Sequence, residues 1–240
     1  MIVYGKNVFS QIQERPDEIQ ELYIQENLKD RKILDALNQL KKVKVNRVSR
    51  AALDKLSDRG VHQGIVAKVK DIDTLPLESL ISRAKKQGHP LLVALDELQD
   101  PHNLGAILRT CDAAGVSGVI MTRHNSATLT PAAIKASTGA AYTVPISVVA
   151  NMAQALDKCK EAGFWISGTA FEGAKDYREG MVDVPLVLVI GNEGKGISRN
   201  VLKHCDYKVK LPMKGSVQSL NASVAAAILL YDIQSRRHAL

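Results

Sequence analysis

Cysteine is scarce in this chain of 240 residues: Cys111, Cys159 and Cys205 are odd in number and far apart, form no CxxC pair, and have no histidine at ligand spacing. That pattern excludes a disulfide framework or a zinc site and reads as reduced cytosolic thiols. No apolar run reaches the roughly 18 residues of a membrane span. The opening stretch, MIVYGKNVFSQ, lacks the apolar segment and cleavage site of a signal peptide. A cytoplasmic protein with no membrane partner is expected, and no cluster of side chains calls for a metal. Internal repeats and low-complexity tracts are also missing.

Several familiar nucleotide and hydrolase signatures are absent as well. In LVIGNEGKGIS (188–198), Gly191 is followed by only Asn192 and Glu193 before Gly194, and Lys195 precedes Gly196, which breaks the spacing of a phosphate-binding P-loop. A dinucleotide fingerprint starting at Gly194 and Gly196 would need glycine where Arg199 stands. The GxSxG elbow of serine hydrolases does not occur. Whatever this glycine-rich turn holds is not bound as an ordinary Rossmann or P-loop nucleotide.

What is present begins with charge. The formal net charge is +7, and residues 1 to 70 hold 14 Lys and Arg against 9 Asp and Glu, so +5 of it sits in that part. Such an excess suits a polyanionic partner, because cations that neutralise phosphates release counterions; it also suits a plain solvated face. A hydrophobic content of 45% is enough for one or two cores.

The pattern divides at a polar stretch. Residues 1–70 read as a small α/β unit with strands at Glu21 to Gln25, Val43 to Val48 and Ile65 to Val69. Between them, Ile33, Leu34, Leu37 and Leu40 share one helical face, and Ser49 is placed to cap the next helix. Residues 71–90 contain Pro76, Gly88 and Pro90 and read as a linker with one short helix. From Leu91 to the end, apolar strands alternate with helices: LLVALD, GVIMT, VPISVV, FWISGTA and PLVLVIG. Near-continuous apolar strands of this kind imply a parallel sheet covered on both faces, with ligands at the carboxyl ends of its strands.

Three segments at such ends are chemically unusual. ELQDPHNLGAILRTCDAAG carries Asn103 at a helix start and Arg109 less than two turns later. LVIGNEGKGIS runs a strand into a turn bearing Glu193. LPMKGSVQSLNASVAAAILLYD opens a small-residue helix with Ser219, Asn221 and Ser223. Taken singly, Asn103 reads equally as a helix cap, Arg109 as a surface charge, the glycines as a tight turn, and the last cluster as capping residues.

Taken in order, NLGAILR, LVIGNEGKGIS and LPMKGSVQSLNASVAAAILLYD resemble the three motifs of the SpoU (TrmH) branch of the SPOUT RNA methyltransferases, over residues 91–240. YGKNVF and RGVHQGIVA are similar to the RNA-binding domain, of ribosomal-protein type, in bacterial 23S rRNA guanosine-2'-O-methyltransferases. The resemblance implies a deep trefoil knot in a parallel-sheet catalytic domain. It also implies S-adenosylmethionine held there by Thr169, Gly191, Leu211 and Leu220, and an obligate homodimer in which both copies contribute to each active site. Leu211 stands where the family often has isoleucine, a volume-conserving change.

The catalytic set that the resemblance assigns is Asn103, Arg109, Glu193, Ser219 and Asn221, which would surround a ribose 2'-hydroxyl of RNA. Lys6, Asn7, Arg59, His62 and Gln63 are the candidate RNA contacts of the amino-terminal part. The expected reaction is 2'-O-methylation of a guanosine in 23S rRNA. Two other readings remain: the same reaction on tRNA, or an RNA-binding ribosome-assembly factor without catalysis.

Overall fold

Two blocks of alternating pattern fold as two units, Met1–Ile72 and Asp73–Leu240. The computed structural model describes residues 1–40, 42–170 and 172–237, apart from the side chains of Asn7 and Gln11. In the first unit the order is β1 (Ile2–Tyr4), α1 (Lys6–Ile12), β2 (Ile19–Gln25), α2 (Arg31–Gln39), β3 (Lys44–Val48), α3 (Arg50–Leu56) and β4 (Ile65–Val69). The strands lie in the order β1-β4-β2-β3, with β4 antiparallel to β1 and β2, and β3 parallel to β2.

Ile19 and Leu22 are an odd number of residues apart, so a regular strand would turn them to opposite faces. A bulge between Ile19 and Glu21 resets the alternation, and Ile19, Leu22 and Ile24 all reach the core. Asp30 caps α2 through Ile33 N–H at 3.3 Å, and Ile33 and Leu40 are buried there with Leu37 packed beside them. Ser49 caps α3 as expected, accepting from Ala52 N–H at 3.3 Å. Strand β1 is too short to show a period in sequence and is defined by its pairing with β4.

In the second unit the order is α4 (Leu77–Ala84), β5 (Leu91–Leu95), α5 (Pro101–Ala113), β6 (Gly118–Thr122), α6 (Pro131–Ala136), β7 (Ile146–Val149) and α7 (Met152–Glu161). It continues with β8 (Trp165–Thr169), β9 (Lys175–Asp176), β10 (Leu186–Ile190), α8 (Arg199–Leu202), β11 (Tyr207–Lys210) and α9 (Ala222–Arg236). Seven strands in the order β7-β6-β5-β10-β8-β11-β9 make a sheet in which every pair is parallel.

Both faces of the sheet are covered at its centre, which is why β5 and β10 are apolar at every position. Leu92, Ala94, Ile120, Ile166, Val187 and Val189 pack with α4, α7 and Val201 of α8. The alternate residues, such as Leu91, Val93 and Leu95, are equally buried, and α5 covers that side in contact with α6 and α9. Among the described residues no helix is long and apolar enough to cross a membrane.

One boundary needs correction. The stretch read as a linker holds α4, whose Leu77, Leu80, Ile81 and Ala84 are buried in the core of the second unit. The short helix was expected, with the spacing of an amphipathic one; its burial in the core was not, because two prolines and a glycine nearby read as a linker. Leu80 is fully buried, so Leu80→Ala should lower unfolding free energy by about 2 to 5 kcal/mol, as a core leucine does. A linker residue would change the denaturation midpoint barely at all.

Candidate active site at the carboxyl ends of four strands

Parallel neighbours β5, β10, β8 and β11 end side by side, so the segments that follow them meet although they are far apart in sequence. Ile190 pairs with Leu95, Val189 with Gly168, and Val209 with Thr169. This is the edge where α/β sheets bind ligands.

The turn after β10 is built first. Asn192 and Gly196 exchange backbone hydrogen bonds at 3.0 and 2.9 Å, and the Asn192 Oδ1 accepts from Gly194 and Lys195 N–H at 2.9 and 3.0 Å. Its Nδ2 donates to the Glu97 carbonyl at 2.9 Å. Gly191 lies under this turn, and a Cβ there would come within 2.2 Å of the backbone of Gly196 and Ile197. No side chain fits, which accounts for the glycine. Buried Asp96 accepts from Ser198 N–H at 2.7 Å and pins the far end of the turn to β5.

Glu193 is thereby aimed at the start of α5. Its carboxylate accepts from Gln99 N–H at 3.3 Å, Asp100 N–H at 3.1 Å and the Asn103 Nδ2 at 3.0 Å. The Asn103 Oδ1 in turn accepts from the Asn221 Nδ2 at 2.9 Å, and the Asn221 Oδ1 caps α9 through Ser223 and Val224 N–H. A single directed chain of hydrogen bonds therefore joins all three motifs. Its amide orientations are settled at both ends, by a carboxylate that only accepts and by backbone N–H groups that only donate.

Burial of Glu193 would raise its carboxyl pKa. The donors from Asn103, its own backbone N–H, Asp100 and Gln99 outweigh that and hold it below the ordinary range.

The expected site residues divide accordingly. Asn103, Glu193 and Asn221 are brought together; Asn103 is buried, and the cap of α5 is Asp100, which accepts from His102 N–H at 2.8 Å. Ser219 is exposed at the rim with no bond to its hydroxyl among the described residues. Arg109 is also exposed without a partner among them, and six residues along α5 turn it about a third of a revolution away from Asn103. One copy of the chain thus does not place Arg109 with the other four.

Thr169, Gly191, Leu211 and Leu220 do converge, lining with Glu193 and Ser219 a cleft of about 1210 Å³. Thr169 Oγ1 donates to the Val189 carbonyl at 3.1 Å, leaving its methyl free for packing. The sequence did not single out Asn192, Asp96 or Asp100 as contributors; the available signals were a polar residue directly after β5 for Asp96 and an Asp-Pro at a helix start for Asp100. No group of three His, Cys, Asp or Glu side chains among the described residues is placed to hold a metal.

In the first unit the expected contacts differ in exposure. His62 is buried, its Nε2 bonded to Asp54 at 3.0 Å and its Nδ1 accepting from Gly64 N–H at 3.0 Å, so it supports the loop and does not face a ligand. The Gln63 side chain accepts from Lys6 N–H at 3.0 Å, and Lys6 Nζ is paired with Asp30 at 2.7 Å. Arg59 is exposed. The side chain of Asn7 lies outside the described residues.

The parallel α/β sheet carries a cleft and a polar junction at one edge, and comparison with known proteins gives the class of the chain. Residues 90–231 match the SpoU rRNA Methylase family, and residues 2–75 match the family of RNA 2'-O ribose methyltransferase substrate binding domains. The chain belongs to the SpoU rRNA methylase family, and with it to the RNA methyltransferases. A protein of Staphylococcus haemolyticus named for the TrmH family of tRNA/rRNA methyltransferases is 41% identical over 99% of this chain and 96% of its own length.

Among solved structures, the SpoU methyltransferase AviRb from Streptomyces viridochromogenes, in complex with AdoMet, superposes with a TM-score of 0.83 at 26% identity, over 99% of this chain and 90% of that one. An AdoMet-bound rRNA methyltransferase from Sinorhizobium meliloti gives 0.75 at 25% identity, over 100% and 87%.

The depressed carboxyl of Glu193 has a consequence for stability. Its hydrogen bonds contribute fully above the ordinary value of 4.5 and are lost as pH falls through the lower folded value. Glu193→Gln should therefore lower the thermal midpoint at neutral pH and flatten its decline on acidification. An acid limb as steep as that of the wild type would assign the carboxylate no such role.

Proposed function

We propose that this protein transfers the methyl group of S-adenosylmethionine to the 2'-hydroxyl of a guanosine ribose in 23S rRNA, as a cytoplasmic homodimer. The observation that carries the reading is the Glu193–Asn103–Asn221 junction beside the cleft of Thr169, Gly191, Leu211 and Leu220. Half-buried Leu211 and Leu220 offer the flat apolar walls that an adenine ring needs, and the bare backbone at Gly191 offers polar groups without charge. When bound, the cofactor supplies a methyl carbon on a positively charged sulfur. Its presence in AviRb supports the assignment.

The residues of the chain then have to place a weakly acidic hydroxyl in line with that carbon, and such alignment is worth about 7 to 11 kcal/mol of barrier. Glu193 and Asn221 fix Asn103; Ser219, free at the rim, is available to the sugar. A guanidinium stays protonated, so Arg109 is suited to grip a neighbouring phosphate and orient the hydroxyl, not to remove its proton.

Because Arg109 stands apart from the junction within one copy, a second copy is the source of the arginine at each site. Val224, Ile228 and Tyr231 support this: they recur at one face of α9 and are exposed, as an isologous interface requires. The passage of β10 between β5 and β8, two strands laid down earlier, supports the deep trefoil knot. Ribosomal RNA is favoured over tRNA by the substrate-binding domain at residues 2–75 and by the full-length match to an rRNA methyltransferase.

Incubation with labelled S-adenosylmethionine and separate rRNA and tRNA pools, with primer extension to map the modified ribose, tests the substrate. Label in tRNA alone, or in neither pool, would overturn the reading. Arg109→Ala should lower turnover by about 100-fold with S-adenosylmethionine affinity unchanged. Mixing it with inactive Asn221→Ala should restore about a quarter of wild-type activity, since half the dimers are mixed and each has one intact site. Absence of any recovery after subunit exchange would place Arg109 and Asn221 of one site on the same copy.

A further inference from the structure

In the first unit the loop of residues 57–64 is held more tightly than a connection between α3 and β4 requires. Asp58, Arg59 and Gln63 have φ of 49°, 59° and 51°; they are three of the six non-glycine residues with positive φ among those described. Such conformations are disfavoured for residues with a Cβ and persist where the surroundings enforce them. The surroundings here are specific. Buried His62 ties Asp54 to Gly64 N–H, Arg59 N–H donates to the Asp54 carbonyl at 2.7 Å, and Ser57 Oγ donates to the Gly60 carbonyl at 3.3 Å. Gln63 reaches across to Lys6 N–H, and the Tyr4 ring lies directly against Gly60.

This scaffold holds one apolar side chain out in solvent. Val61 is 81% exposed, the highest value among the large exposed hydrophobics of the described chain, with exposed Arg59 two residues before it. A lone exposed valine on a mobile loop needs no explanation, because the loop can turn it inward. Here the hydrogen bonds prevent that.

We infer that Arg59 and Val61 form a rigid contact tip for unpaired RNA, Val61 packing on the face of a base turned out of its stack and Arg59 on an adjoining phosphate. This rests on the reading of the protein as an RNA methyltransferase that acts on structured RNA. The net charge of +5 over residues 1–70 and the match of residues 2–75 to substrate-binding domains favour a nucleic acid over an apolar protein partner. Single-stranded loops are where RNA offers base faces, whereas a duplex offers phosphates, sugars and base edges but keeps its base faces stacked.

The test is fluorescence anisotropy of the full chain with a labelled RNA hairpin bearing an open loop and with a blunt RNA duplex of equal length. The wild type should bind the hairpin more tightly. Val61→Asp should weaken hairpin binding about tenfold and duplex binding much less, and Val61→Ala about fivefold by loss of apolar contact. Arg59→Gln should weaken both and lower the salt dependence. Thermal midpoints should stay put, because neither side chain is packed.

If the wild type does not distinguish the two RNAs, or Val61→Asp distinguishes them as the wild type does, the inference is overturned. Methyl transfer to rRNA, assayed alongside, judges the functional reading separately. A failure there with the hairpin preference intact would leave the contact tip standing.

Discussion

The hydrogen-bond chain from Glu193 through Asn103 to Asn221 is what makes one site out of three segments about 90 and 118 residues apart. Each link fixes the next because each group has a limited set of roles. A carboxylate that only accepts orients the Asn103 amide, whose oxygen then orients Asn221, whose own oxygen ends on the N–H groups that open α9. Removing Asn103 would leave the half-buried Glu193 carboxylate short of a donor and the Asn221 Nδ2 without its acceptor.

Helix α9 is held at its other end as well. Arg236 donates to the carbonyls of Tyr177, Arg178 and Gly180, and Arg237 to those of His89, Val182 and Val184. Those carbonyls lie on the stretch between β8 and β10 and just before β5, the strands whose carboxyl ends form the cleft. The helix therefore connects the polar junction at its first residue to the connections behind the sheet at its last. Its exposed stripe of Val224, Ile228 and Tyr231 lies between two anchored ends, which suits a surface that must stay in register with the site.

Much of this architecture was legible in the sequence because burial on both faces leaves a strong mark. The five apolar runs appear as β5, β6, β7, β8 and β10 within a residue or two. What escaped was of two kinds. Short elements such as β1, β9 and β11 are specified by their neighbours in the sheet and have too few residues for a period. Helix α4 was expected as a short helix, but prolines and a glycine around it carry the composition of a linker and hid its place in the core. At the site, residue types were readable and partners were not. Asn103 could be seen beside a helix start, but that Asp100 does the capping and frees the Asn103 amide depends on Glu193 arriving from the neighbouring strand.

In the amino-terminal unit, too, partners were less legible than residue types. His62, Gln63 and Lys6 have side chains that suit a nucleic acid, and a basic sequence invites that assignment; the fold buries His62 and ties exposed Gln63 and Lys6 into local hydrogen bonds. Beside exposed Arg59 the loop also turns outward a valine, Val61, a residue type that composition marks as core. The two regions are thus built on opposite logic. At the sheet edge, polar groups are satisfied by one another so that their positions are certain before a substrate arrives. In the loop of residues 57–64, polar groups are satisfied so that an apolar one stays exposed, and the bonds that look like recognition are the frame that holds it out.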